Sequence, residues 1–375
     1  MRAWTFQDTK QKRKLGTKAP WSVGWFDPDG KKRSKRIGSK SLAEKYRRKI
    51  EGELAAGTYQ SDSRKLWSDF RHEYEGSILP GKACGTQRVE KATLDHFQRI
   101  AKPGKVANIK SRMLDDYVAV RRNEPGKKRG ALISVATVNR ELRTLKAVLN
   151  VAHDWGYLPT VPKVRMLKEP KRIVRFMTPE HFADIYVACN AARLPKGLPY
   201  PPSVWWQALL VFGYMTGWRI SEPLALRRED LDLENASAIT RADDNKGNRD
   251  DLVPLHAVVV EHLQKIASFE PIVFPWYHNS RTLWTEFAKI QRAAGIHLDC
   301  HEKHEHTPAC HVYGFHDLRR AFATVNAETL TADALQAMMR HKSYSTTQGY
   351  INMARQLNRS VEGLQVPDVL KKGTA

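Results

Sequence analysis

Between residues 66 and 155 apolar side chains return at three- and four-residue steps, the period of a helix with one buried face. Four such stretches are read. Leu66, Phe70 and Tyr74 line the first, and Val89, Leu94, Phe97 and Ile100 the second. Met113, Tyr117 and Val120 line the third, and Val138, Leu142, Leu145, Leu149 and Ala152 the fourth. Amphipathic helices so closely spaced bury their stripes against one another, so this stretch is expected to form a compact helical domain. Gly156, Pro159, Pro162 and Pro170 then break the period, while Lys163, Arg165, Lys168, Lys171, Arg172 and Arg175 keep the segment basic. Residues 157–177 therefore read as a linker able to run along a phosphate backbone. At Thr178-Pro179-Glu180 an N-cap followed by proline in the first turn opens a new domain.

The 375 residues have length for two or three cores. Residues 1–60 hold sixteen Lys/Arg against six Asp/Glu, a net excess of ten out of the formal +22 of the whole chain. Charge of that sign and density suits a polyanion, with nucleic acid the leading partner. Residues 21–26 alternate toward a strand, Asp27-Pro28-Asp29-Gly30 is a turn signal, and residues 31–37 return as a second strand. A helix starting after Ser41 carries Lys45, Arg47, Arg48 and Lys49, with Leu42 and Ile50 available for packing. DNA-contact candidates are Lys31, Lys32, Arg33, Lys35 and Arg36 on this ribbon and Lys163, Arg165, Lys171 and Arg172 in the linker. No apolar leader stands at the amino terminus, and residues 204–218, interrupted by Gln207, are too short to span a membrane and read as a buried helix. Four cysteines in so long a chain make no disulfide framework, which points to a reducing, cytoplasmic compartment.

The chemistry-bearing residues lie beyond Thr178. In Thr216-Gly217-Trp218-Arg219-Ile220-Ser221-Glu222 an apolar helix ends at glycine and another begins at a Ser221 cap, so Arg219 sits at the junction, placed to grip a phosphate with its planar fork. His316 and Arg319 are three apart and share a helix face. His341 precedes Tyr350 by nine residues, with Ser and Thr between them able to cap a short helix that carries the tyrosine. Lys246 lies near the tip of a hairpin between a short β-prone run and Leu252-Val253-Pro254-Leu255.

Arg219, Lys246, His316, Arg319, His341 and Tyr350, in this order and spacing, resemble the tyrosine recombinase (phage integrase) family, from about residue 178 to just past Tyr350. The resemblance implies a mainly α fold with small β elements. Residues 1–60 would be a basic DNA-binding β-ribbon plus helix, 61–156 a helical (SAM-like) core-binding domain and 157–177 a basic linker. Residues 178–375 would be an α+β integrase-type catalytic domain ending in a tail helix through Leu357, Val361 and Leu364. It also implies a site-specific enzyme that breaks and rejoins double-stranded DNA through a 3′-phosphotyrosine intermediate without ATP or a catalytic cofactor. Such an enzyme would be associated with the nucleoid, act as a homotetramer on its recombination sites, and work with or without accessory proteins. Tyr350 would be the nucleophile, Arg219, Arg319 and His341 donors to the phosphate oxygens, His316 the acceptor of the tyrosine proton and Lys246 the donor to the leaving 5′ oxygen. Three positions depart from the family pattern: Asp250 and Asp251 precede the hairpin's second strand where a basic residue is usual, Arg340 replaces a glycine, and Pro223 enters the helix after Arg219. Rival readings are a type IB topoisomerase, a non-enzymatic DNA-binding regulator and a zinc-dependent hydrolase.

That last rival arises from residues 300–311, which concentrate two of the four cysteines and four of the fourteen histidines. Cys300, His304, His306 and Cys310 are the preferred set for a closed, structural zinc site, with His301 and His311 as alternatives. Such an ion would pin the loop that leads into His316.

Overall fold

The computed structural model describes residues 3–28, 30–57, 59, 63–170, 175–245 and 247–357, without the side chains of residues 353 and 355–357. The chain divides into two compact units, Met1–Pro170 and Lys171–Ala375.

The first unit begins with β1 (Ala3–Gln7), α1 (Thr9–Leu15), β2 (Trp21–Phe26), β3 (Lys32–Gly38) and α2 (Lys40–Ala55). The three strands form an antiparallel sheet in the order β1-β2-β3. The ribbon expected from the turn signal is β2–β3; β1, a short strand ahead of it, adds a third. Ala3, Val23 and Trp25 pack on Ala43, Ile50 and Leu54 of α2. That helix is capped by Ser39, whose hydroxyl accepts from Leu42 N, rather than starting after Ser41, and Leu42 is exposed rather than packed. On the sheet's other face the Trp4 ring lies over Gly24, where an added Cβ would come within 2.7 Å of it. Only glycine leaves room for that ring.

Four helices follow: α3 (Trp67–Ser77), α4 (Cys84–Ala101), α5 (Ser111–Arg122) and α6 (Val135–Asp154). Trp67, Phe70, Tyr74, Leu94, Phe97, Tyr117, Leu142, Leu145 and Leu149 are buried in one core between them. In α5 the buried face is Leu114, Tyr117 and Arg121, one residue round from Met113 and Val120; Val120 is exposed, and so is Leu66. Arg121 is drawn inward by Glu141 at 2.9 Å, a carboxylate that also accepts the Tyr117 hydroxyl at 2.7 Å. An apolar-only reading of the stripe misses this helix's rotation because one of its three buried positions is a paired charge. After α6 the chain does not leave the core at once. The Asn139 amide donates to Leu167 O at 2.9 Å and accepts from Leu167 N at 2.8 Å, while Val161, Val164 and Leu167 pack on the helices. The first part of the basic linker is thus bound to this unit.

The second unit contains α7 (Pro179–Val187), α8 (Pro202–Thr216), α9 (Ser221–Ala225), β4 (Leu231–Asp232), β5 (Ser237–Thr240), β6 (Asp251–Pro254), α10 (Ala257–Gln264), α11 (Ser280–Ala293), α12 (Phe315–Val325), α13 (Ala332–Met339) and α14 (Tyr344–Leu357). Thr178 caps α7 as its sequence predicts, accepting from His181 N. The apolar helix α8 is buried nearly all round, with Trp205, Trp206, Leu209, Leu210 and Phe212 at the centre of the core. Strands β4, β5 and β6 form a small antiparallel sheet in sequence order. A satellite cluster of Phe322, Ala323, Leu335, Met339 and Ile351 joins α12, α13 and α14, with Tyr350 packed at its edge. Among the described residues no helix is long and apolar enough to cross a membrane.

Candidate active site

Helix α8 stops at Gly217 because that residue turns left-handed, with φ 64°. No side chain fits there: an added Cβ would stand 2.7 Å from the Phe322 ring and 3.1 Å from the Met339 sulfur. The close approach lets the Gly217 carbonyl reach across to α12, where it accepts from Nη1 of Arg319 at 2.6 Å. Nη2 of Arg319 donates to the carbonyl of Met339, at the end of α13. Arg319 is 1 % exposed. Its planar fork therefore ties together three helices, which fixes the guanidinium in space. Burial pulls its pKa down to about 10, helped by the like charges of Arg219 and Arg340 and opposed by Glu222 and Tyr350. It remains cationic at neutral pH.

Two residues past Gly217, Arg219 is held at both ends by one carboxylate. Its backbone N–H donates to Glu222 Oε2 at 2.8 Å and its Nη1 to Oε1 at 3.0 Å. Ser221 is not the cap expected from the sequence; it is the first residue of α9, and the Glu222 side chain satisfies the junction instead. The Glu222 side chain is fully buried, while that of Arg219 is 31 % exposed, so the anchor is inside and the cation faces out. Oε2 of Glu222 also accepts from Nη2 of Arg340. The Arg340 guanidinium lies 4.6 Å from the centroid of the Trp218 ring. This residue ends α13 in a left-handed conformation, φ 52°. A non-glycine residue there costs roughly 1 kcal/mol, which a buried ion pair and a cation–π contact can offset.

His316 enters on the first turn of α12, whose start is closed by the Asp317 carboxylate accepting from Gly314 N at 2.7 Å. Its ring is exposed, and partial desolvation with the charges of Arg320, Arg319 and Arg219 lowers its pKa. His341 follows Arg340 directly, its backbone N–H donating to Gln336 O at 3.2 Å. Burial, then Arg319, Arg219 and His316, push its pKa down to about 4. Nδ1 of His341 is 3.0 Å from the Thr347 hydroxyl. The His341 ring is stacked on the Tyr350 ring, centroids 5.8 Å apart and planes 10° from parallel. Tyr350 sits in the second turn of α14, a longer helix than the short one expected.

Arg219, His316, Arg319, His341 and Tyr350 thus gather at one place from stretches more than a hundred residues apart. Lys246 lies outside the described residues, as do Lys171, Arg172, Val361 and Leu364. The hairpin's neighbouring acids have structural partners: Asp250 accepts from Ala242 N at 2.7 Å, and Asp251 pairs with Arg249 at 2.9 Å. Sequence reasoning missed Glu222, Arg340 and Thr347. The i, i+3 spacing of Arg219 and Glu222 was the available signal for the first. Among the DNA-contact candidates, Lys31, Lys32, Lys35, Arg36 and Lys163 are exposed, while Arg33 pairs with Asp27 at 2.8 Å and Arg165 with Asp115.

A tyrosine-bearing helix set against two anchored guanidinium groups and two histidines is an arrangement suited to breaking and rejoining a phosphodiester. Residues 175–356 match the model of the phage integrase family. The tyrosine recombinase XerA of Thermococcus onnurineus (strain NA1) is 26 % identical over 264 residues, 64 % of this chain and 84 % of that protein. A lambda integrase dimer bound to a COC′ core site shares the fold, with a TM-score of 0.56 at 17 % identity over 98 % of this chain and 97 % of that one. A lambda integrase tetramer bound to a Holliday junction gives the same score over 92 % and 94 %. Residues 175–356 thus carry a domain that matches the phage integrase family, and the relatives support a tyrosine site-specific recombinase.

Proposed function

We propose that this recombinase cuts and rejoins duplex DNA through a covalent 3′-phosphotyrosine link made by Tyr350, with energy conserved in that link so that ATP is not consumed. The observation that carries the reading is the Tyr350 ring stacked on His341 beside the immobilised Arg319. In the step, Oη of Tyr350 attacks phosphorus, the bond to the 5′ oxygen breaks, and that oxygen leaves with a proton. His316, its pKa lowered by partial burial and then by its cationic neighbours, accepts the tyrosine proton. Arg219 and Arg319 stabilise the charge that builds on the nonbridging oxygens. If the Thr347 hydroxyl donates to Nδ1 of His341, the proton of that neutral ring sits on Nε2 and can be donated to the phosphate. Lys246 protonates the leaving oxygen. A free 5′ hydroxyl reverses these events, and one from another strand yields exchange.

Because lambda integrase forms a tetramer on a Holliday junction, we assign this chain the same assembly on its sites, with the basic ribbon and linker holding DNA close to the nucleoid. The test is a nicked duplex carrying the recombination site, which traps the covalent adduct by losing the short 5′-hydroxyl strand. Adduct from the native chain and none from Tyr350→Phe, with DNA binding retained, is the expected result. Adduct with supercoil relaxation and no exchange between two sites would replace recombination by topoisomerase action.

A further inference from the structure

We infer that Cys300, His304, His306 and Cys310 form a structural zinc site in the loop between α11 and α12, independent of the recombination chemistry. Their ligand atoms all lie within 4.8 Å of one another. Tetrahedral zinc with Zn–S of about 2.3 Å and Zn–N of about 2.0 Å sets its ligand atoms about 3.3–3.8 Å apart. Cys300 Sγ is 3.3 Å from Nε2 of His304, and Cys310 Sγ is 3.6 Å from the same nitrogen. Two edges of the tetrahedron already have their length, and the rest need to shorten by at most about 1.5 Å.

The orientation of the central imidazole supports the same reading. Nδ1 of His304 donates to the carbonyl of Glu305 at 2.7 Å, which leaves the lone pair on Nε2, the nitrogen that faces both sulfurs. None of residues 299–311 is buried as a whole, yet the His304 side chain is 1 % exposed. A loop of His, Glu, Lys and Thr has no apolar core to enclose an imidazole, so something other than hydrophobic burial must bring these four side chains together. Zinc binding to two thiols and two neutral imidazoles displaces two thiol protons and leaves a neutral, closed site. No ligand position remains for substrate or water, which assigns the ion a structural role. His311 is not part of that 4.8 Å group; its Nδ1 donates to Leu298 O at 2.7 Å and its ring is stacked on His297. Both ends of the loop are anchored, through Arg175 to Asp299 O at 2.8 Å and Tyr313 N to Gln291 at 2.7 Å. The ion would close the part between those anchors, directly ahead of the helix that carries His316 and Arg319.

The test is metal content of the full-length protein purified without chelator, with cobalt(II) exchange as a second readout. One zinc per chain is expected, falling to near zero in Cys300→Ser and Cys310→Ser and unchanged in His301→Ala. Cobalt(II) should give the strong d–d bands of a tetrahedral site and a thiolate charge-transfer band. Alkylation should reach Cys84 but spare Cys300 and Cys310 until a chelator is added. Well under one zinc after growth with added zinc, or failure to bind cobalt, overturns the proposal, as does loss of zinc in His301→Ala. A Cys300–Cys310 disulfide, seen as two missing thiols without metal, also overturns it.

Discussion

Arg340, at the end of α13, and Arg219, in the junction between α8 and α9, both reach the buried carboxylate of Glu222, so that one anion holds two cations 121 residues apart in the chain. The like charges cannot sit so close without it. Glu222→Gln should therefore leave two guanidinium groups uncompensated. Breaking a buried pair costs about 3–5 kcal/mol, and the amide retains part of the hydrogen bonding, so a loss of about 3 kcal/mol is expected. Thermal unfolding would show it, and the cleavage rate should fall more than DNA affinity. An unchanged midpoint with full cleavage would show that Glu222 anchors neither cation.

Gly217→Ala would force a methyl group into the Phe322 ring from a left-handed position. Roughly 1 kcal/mol for the backbone and about 1–3 kcal/mol for overpacking are expected. The displaced carbonyl would release Nη1 of Arg319. Urea unfolding measures the first effect and trapped-adduct yield the second, and the two should move together.

His341 gives stability a defined pH dependence. Its pKa falls from an ordinary 6.5 to about 4 on folding, through burial and the charges of Arg319 and Arg219. Between those values the unfolded chain takes up a proton that the folded chain refuses. Stability from this group is therefore complete above pH 6.5 and is lost as pH falls toward 4, by about 1.4 kcal/mol per pH unit. His316 shifts in the same direction. His341→Asn should flatten the slope of unfolding free energy in that window. Bound phosphate should raise both pKa values, so calorimetry in buffers of different ionisation heat should show proton uptake when DNA binds, reduced in the same variant.

The ribbon's candidates separate by face. Pairing of Phe26 with Lys32 and of Ser22 with Arg36 puts those two cations on the side of Trp4 and Phe26, away from α2, whereas Arg33 opposite Trp25 and Lys35 opposite Val23 lie on the helix side. The Lys32 ammonium is 5.6 Å from the Trp4 ring centroid. Replacing Lys32 and Arg36 with Ala should reduce the slope of log affinity against log salt by about 2, near 0.9 for each phosphate contact. Arg33→Ala should lower thermal stability through Asp27 with little change in that slope.

The local chemistry was legible because its signals are local. A Thr cap with a following proline opens α7, Gly217 ends α8, and the His316–Arg319 spacing lies on one helix. What escaped the sequence is what folding brings from afar. Glu222 meets Arg340 across 118 residues, and nothing near either position announces the partner. The rotation of α5 was misjudged because Arg121 points inward to Glu141, and a hydrophobic stripe cannot register a buried charge. Strand β1 went unread because five residues of mixed polarity declare themselves only when paired with β2.

His341 lies in the four-residue turn between α13 and α14, and its ring is stacked on that of Tyr350 in α14. In the chemistry proposed above, a hydroxyl tethered so closely to its own phosphate-binding side chains cannot readily be lent to a neighbouring molecule. Each chain in an assembly would then act only on the strand it grips. Mixing a chain lacking Arg319 with one lacking Tyr350 should restore no cleavage, since neither defect can be repaired from outside.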